Sequence, residues 1–312
     1  MSTSTATRYS TRELRAAAAA LAAGKFATPA TRPSTPETAE DQDQQATLES
    51  TAATEGERDR GPRGDGYTPS PGATARLSTG AGPLVRVRAA NAGAGASTIA
   101  LALADVADAD GIRTRVLDAA APTWSGLLGA TVTELGAAEG WRRGRRGDGV
   151  LIDRVEEPVR VPGEVPSPRS VDGVDLTVLD AGWSMRELAA SGAGSWVATT
   201  PARAEVLVTR PHGLALSQTE VALADLEDQL ARGGVVVVVV GAARWNDREF
   251  APAGRLLRAA RQQEAVLFAP LLPAKALPGL GPDPLPKQLT SSSQRLLERI
   301  TTITGPLTAN RT

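Results

Sequence analysis

The chain has 312 residues, a formal net charge of −1, no cysteine and one histidine. That length suffices for one α/β domain plus a sizeable appendage, and near-neutral charge gives no global reason for nucleic-acid affinity. Without cysteine there is no disulfide framework, thiolate nucleophile or cysteine-based zinc site, and a lone histidine leaves little basis for His-centred metal or triad chemistry.

Residues 1–26 read as a Ser/Thr-rich tail with one short helix. Ser10-Thr11-Arg12-Glu13 has the capping-box pattern, an alanine run continues to Leu21, and Gly24 is a stop. With mainly Leu14 and Leu21 to bury, this helix is either solvated or a docking peptide for a partner. Over residues 27–82 the composition turns to Thr, Pro, Glu, Asp, Gln, Gly and Ser. Almost no large apolar side chain is available there to offset the entropy of ordering, so a disordered linker is expected.

The folded domain is expected over residues 83–312. Leu84 to Val87, alternating with Arg86 and Arg88, predicts a strand. A glycine-and-alanine turn follows, then a helix from Ile99 to Ala109 ended by Gly111, then a strand Arg115–Leu117 closing on Asp118. Further strand candidates are Val150–Ile152, read as an edge, Leu176–Leu179 before Asp180, Val206–Val208, Val235–Val240 and Ala265–Phe268. The six valines suit a parallel strand buried on both faces. Helices are expected at Met185–Ala190 behind a Ser184…Glu187 box, Gln218–Ala231 behind Ser217…Glu220, Pro252–Gln262 and Ser292–Ile303. Strands and helices alternating in this way indicate a three-layer α/β sandwich with a mostly parallel sheet and ligand space beyond the C-terminal strand ends. No apolar run is long enough to span a membrane and no apolar signal core opens the sequence, which predicts a soluble cytoplasmic protein.

The turn after the first strand reads Asn91-Ala92-Gly93-Ala94-Gly95-Ala96-Ser97-Thr98. A P-loop uses backbone N–H groups to cradle phosphates, a lysine on the terminal phosphates and a hydroxyl on Mg²⁺. Here Ala96 stands in the lysine's place and Ser97 in that of the hydroxyl. Gly93, Ala94, Gly95, Ala96, Ser97 and Thr98 are therefore the candidate nucleotide-binding residues, with affinity for ATP and Mg²⁺ and hydrolysis both weakened by the missing charge. The same spacing also suits a tight strand-to-helix turn that binds nothing. Asp180, ending a buried strand, is the candidate for Mg²⁺ beside Ser97.

Taken together, the glycine loop, helix, Arg115-Val116-Leu117-Asp118, Leu127-Leu128-Gly129 and a later strand ending in Asp180 resemble the ParA/MinD family of deviant-Walker P-loop ATPases over roughly Leu84 to Ile303. The sequence Trp124-Ser125-Gly126-Leu127-Leu128-Gly129 is similar to the branch used in pilus assembly and septum positioning. The family's loop is K-G-G-x-G-K-T-T, so Asn91 replaces the signature lysine that acts across the dimer and Ala96 replaces the phosphate lysine. The resemblance implies that Asp118 orients the attacking water and that Asp180 is the magnesium-side aspartate. Asp118-Ala119-Ala120-Ala121-Pro122 retains one carboxylate of the family's aspartate-x-aspartate-proline motif, Leu272-Pro273 looks like its late switch, and Gly241 stands where its adenine-reading asparagine would be.

Trp141-Arg142-Arg143-Gly144-Arg145-Arg146 is the densest basic cluster. It reads as a solvated loop tip neutralised by Glu156 and Glu157, or as a non-specific DNA patch with the tryptophan stacking on a base. His212 is expected at the surface, and Trp183, Trp196 and Trp245 either pack at rims or line one cleft. The expected function is a degenerate ParA/MinD-like partition, positioning or regulatory scaffold that meets a protein partner through its N-terminal helix or domain surface and can form a homodimer. The alternatives are a slow ATPase completed by a partner or neighbouring subunit, and a non-binding adaptor in plasmid transfer or secretion. Deleting residues 1–80 should leave a single cooperative thermal unfolding transition. Loss of that transition would move the domain boundary toward the N-terminus.

Overall fold

A computed structural model describes residues 82–275 and 279–307, so the expected N-terminal helix and the linker before Gly82 lie outside the described residues. The strands are β1 (Leu84–Ala89), β2 (Thr114–Asp118), β3 (Thr133–Ala138), β4 (Trp141–Arg146), β5 (Val150–Val155), β6 (Leu176–Ser184), β7 (Ala204–Thr209), β8 (Val235–Val240) and β9 (Val266–Ala269). They form one sheet in the order β3-β4-β5-β2-β6-β1-β7-β8-β9. From β5 to β9 every pairing is parallel, while β3 and β4 add an antiparallel hairpin beyond β5. The mostly parallel α/β sheet expected from the strand and helix alternation is what forms.

The side-chain period of two sorts each strand between two helical layers. On one face Val85, Val87, Val116, Val178, Val206, Val236 and Val238 pack on helix α1 (Ala96–Ala109) and on the C-terminal helix, Lys287–Thr304. The other face has two centres. Leu117 and Leu179 join Trp141, Leu188 and Val197 beneath helices α2 (Met185–Ser191) and α3 (Trp196–Thr199). Leu207, Val235, Val237 and Val239 are covered by α4 (Gly213–Ala224), α5 (Glu227–Ala231) and, after the short helix α6 (Asp247–Phe250), by α7 (Arg255–Gln262). The last helix, Lys287–Thr304, is α8. β8 is buried at all six positions, as its unbroken valines require.

Several local expectations are corrected. Val150–Ile152 belongs to a longer strand inside the sheet, because the basic run that follows β3 is itself strand β4 and covers that side. The expected helix Gln218–Ala231 is two helices meeting at Asp225 and Leu226, and it starts earlier, at Gly213. There His212, exposed as expected, also caps the helix, its Nδ1 accepting the amide of Ala215 at 3.3 Å. Glu220 does not serve a Ser217 box: its two carboxylate oxygens accept the amides of Leu256 and Leu257 at 2.7 and 3.0 Å and cap α7 instead. The Ser184…Glu187 box forms as expected.

Where β6 ends, Gly182 has φ +69°, and a Cβ there would lie 2.5 Å from the backbone of Ala120. Only glycine lets the two strand ends run this close. Gly182→Ala should lose about 1–3 kcal/mol in urea unfolding, and an unchanged midpoint would show that the strand ends separate freely.

Candidate functional site

The glycine loop and α1 occupy the position expected of them. Gly93 and Gly95 have φ of +68° and +99°, a left-handed backbone that turns the chain into the helix. No side chain caps α1, so the amides of its first turn face no side-chain acceptor from the cap. Ala94 is buried, while Ala96, Ser97 and Thr98 are half-buried.

Asp118 and Asp180 are register partners on adjacent parallel strands, β2 and β6. Equivalent positions on neighbouring strands point to the same face, and Val116 and Val178, two residues earlier, pack on α1. Both carboxyl groups therefore project toward the α1 layer, and Ser97 lies close enough to Asp180 to favour its ionised form. Both residues are fully buried. Asp118 accepts the amide of Ala120 at 3.1 Å and the hydroxyl of Ser125. Neither oxygen of Asp180 has a well-aligned hydrogen bond, although Ser97 and the Gly182 amide are near. Burial pushes Asp118 up to about 6; burial, and then the charge of Asp118, push Asp180 up to about 7. A buried carboxyl group with orphaned oxygens beside a serine hydroxyl is a donor set that fits a hard divalent cation.

Sequence reasoning missed four neighbours. Arg154 is the register partner of Asp118 on β5, is buried, lowers the Asp118 pKa, and donates to Glu134 at 2.6 and 2.7 Å and to the Leu128 carbonyl. Ser125 ties its own loop to Asp118, and next to it Gly126 packs on Ser97, where an added Cβ would come within 3.0 Å. Arg210, just past β7, donates to the Gly93 carbonyl at 3.1 and 2.7 Å and brings a guanidinium to a loop that lacks its lysine. Only Ser125 and Gly126 carried a signal, since both fall within the Trp124–Gly129 stretch that resembles the family; Arg154 and Arg210 are brought in by strand order.

Asn91 donates to Thr209 Oγ1 at 2.9 Å, which ties the start of the glycine loop to the end of β7. The basic run is a strand and not a loop tip. Arg143 pairs with Asp153, Arg142 with Glu156, and Arg146 is buried against Asp105 at 2.7 Å. Trp141 is buried, so it does not present a face for base stacking. The other tryptophans do not share a cleft: Trp196 lies 6.2 Å from Trp141, Trp245 packs on Phe250 and Phe268, and Trp183 donates to the Ala119 carbonyl. Among the described residues no helix is long and apolar enough to cross a membrane.

No protein-family model matches the chain, and no curated protein does. Solved structures similar to it are MinD and ParA-family proteins, the group the sequence resembles. The septum site-determining protein MinD of Pyrococcus horikoshii, complexed with Mg-ADP, is 14% identical, with 72% of this chain and 98% of that chain covered and a TM-score of 0.47. The cell division ATPase MinD of Pyrococcus furiosus is 17% identical over 71% of this chain and 99% of its own, with a TM-score of 0.46. A ParA family ATPase of Chlorobium tepidum is 11% identical over 72% and 96%, with a TM-score of 0.41.

Because both carboxyl pKa values are raised in the fold, the native state retains protons that the unfolded chain has released. Stability should fall as pH rises from the ordinary carboxylate range to about 7. Asp180→Asn should remove much of that fall and gain on the order of 1–3 kcal/mol at pH 8 but little at pH 4. Urea unfolding at both pH values reads this, and an unaltered pH slope would place the dependence elsewhere.

Proposed function

We propose that this chain is a degenerate ParA/MinD-like protein: a cytoplasmic partition, positioning or regulatory scaffold that holds a nucleotide and turns it over feebly or not at all. The observation that carries this reading is the in-register pair Asp118 and Asp180 beside Ser97, on the α1 side of the sheet. Asp180 and Ser97 would hold Mg²⁺, and the amides from Gly93 to Thr98 the phosphates of ATP. The bound cation would supply charge neutralisation at those phosphates. Arg210 offers a positive charge where the family resemblance expects a lysine. Feeble turnover follows from the missing lysine charge, since Ala96 offers nothing to balance charge developing on the phosphates.

As a scaffold, it would meet a protein partner through the N-terminal helix or the domain surface, or a second copy of itself. A DNA partner would have to rely on Arg145, because Arg142, Arg143 and Arg146 are committed to carboxylates. The slow ATPase completed in trans remains the second reading, favoured by the one feature that only another chain could remedy, Asn91 in place of the family's signature lysine.

Calorimetric titration with Mg-ATP should give saturable micromolar binding, with phosphate release at background. Asp180→Ala should remove the Mg²⁺ requirement, and Arg210→Ala should weaken binding about tenfold. Turnover on adding a partner would favour the second reading, and no saturable binding would reduce the molecule to an adaptor in plasmid transfer or secretion.

A further inference from the structure

On the sheet face turned away from Asp118 and Asp180, a cavity of about 230 Å³ lies between the β3–β4 hairpin and the chain at Arg169. Its floor is a charge cluster. Asp153, fully buried, accepts from Arg115 Nε and Nη2 at 2.7 and 2.5 Å and from Arg143 Nε and Nη2 at 2.6 and 2.8 Å. Two guanidinium groups thus share one carboxylate, which leaves one positive charge without a counter-ion; Arg115 is buried and the Arg143 side chain is 34% exposed, so the surplus charge faces the open side of the space. Arg169 does not change that sum, since its side chain pairs with Glu139, while its carbonyl accepts from Arg115 Nη1 at 2.6 Å.

The second observation is independent of charge. Trp141 also lines the cavity: it is 5% exposed and its indole nitrogen is closed to solvent, so its ring forms part of the wall. The remaining wall is small and apolar, formed by Leu135, Ala137 and Ala138 of the edge strand. The space would take roughly seven or eight waters.

We propose that this cavity is a binding site for a small monocarboxylic acid, distinct from the nucleotide site and on the other face of the sheet. The carboxylate neutralises the surplus guanidinium charge and accepts from Arg143, and the apolar body lies against Leu135, the alanines and the Trp141 ring. A single surplus charge and a planar fork match a monoanionic carboxylate better than a phosphate dianion.

Calorimetry on the full chain with benzoate as probe tests this, with benzamide as its neutral isostere and inorganic phosphate as the competing anion. Benzoate should bind once per chain and quench tryptophan fluorescence, and benzamide should not bind. Arg143→Gln should weaken benzoate at least tenfold. Leu135→Glu, on an exposed edge strand where folding is not at stake, should do the same by placing a carboxylate of its own at the rim. Arg145→Gln, on the same strand but outside the cavity lining, should leave binding intact. Equal affinity for benzamide, binding of phosphate in preference to benzoate, or an Arg145→Gln loss as large as that of Arg143→Gln would each overturn the proposal. Mg-ATP affinity should be untouched by Leu135→Glu, which separates failure here from failure of the nucleotide reading.

Discussion

Two carboxyl groups shut away from water on neighbouring strands are the constraint around which this domain is arranged. Burial out of water drives both carboxyl groups toward their protonated forms, and at Asp180 the charge of Asp118 adds to it. The surroundings relieve them unequally. Asp118 has Ser125, an amide and the nearby charge of Arg154; Asp180 has Ser97 and the Gly182 amide nearby but no well-aligned hydrogen bond to either oxygen. Gly182 allows the two strand ends to meet without a clash, which keeps the carboxyl groups in register. A pair arranged in this way is costly when empty and eased by a cation, which is the physical basis of the nucleotide reading.

Arginine organises the rest of the charge. On β1, Arg86 and Arg88 share Glu205, and on β2 and β4, Arg115 and Arg143 share Asp153. In the first cluster burial lowers the Arg86 pKa to about 10 despite Glu205, while Arg86 also donates to the carbonyls of Ala198 and Thr200. Both clusters lie on the face opposite α1, so the α2 and α3 side holds surplus positive charge beneath it, while the α1 face holds Asp118 and Asp180. Arg146 works differently: it joins α1 through Asp105 to the carbonyls of Ala130, Gly281 and Asp283 and acts as a peg between layers. Near-neutral net charge is thus an average over internal pairs and says little about local fields.

The alternation of glycine loop, helix and apolar strand is local, carried by capping residues and by the periods of two and 3.6, so the α/β layout, the loop before α1 and the two aspartates at strand ends were legible in the chain alone. So was the burial of the six valines, since only a strand covered on both faces tolerates them. What could not be read was anything fixed by pairing across long separations. β4 has too few apolar residues to announce a strand, and its arginines find Asp105 and Asp153 only when the hairpin folds back along β5. Arg154 and Arg210 reach the site for the same reason: strand order and register, which depend on the free energy of the whole sheet, decide which side chains become neighbours. Sequence determined the elements and their polarity; tertiary structure alone decided which charges would meet.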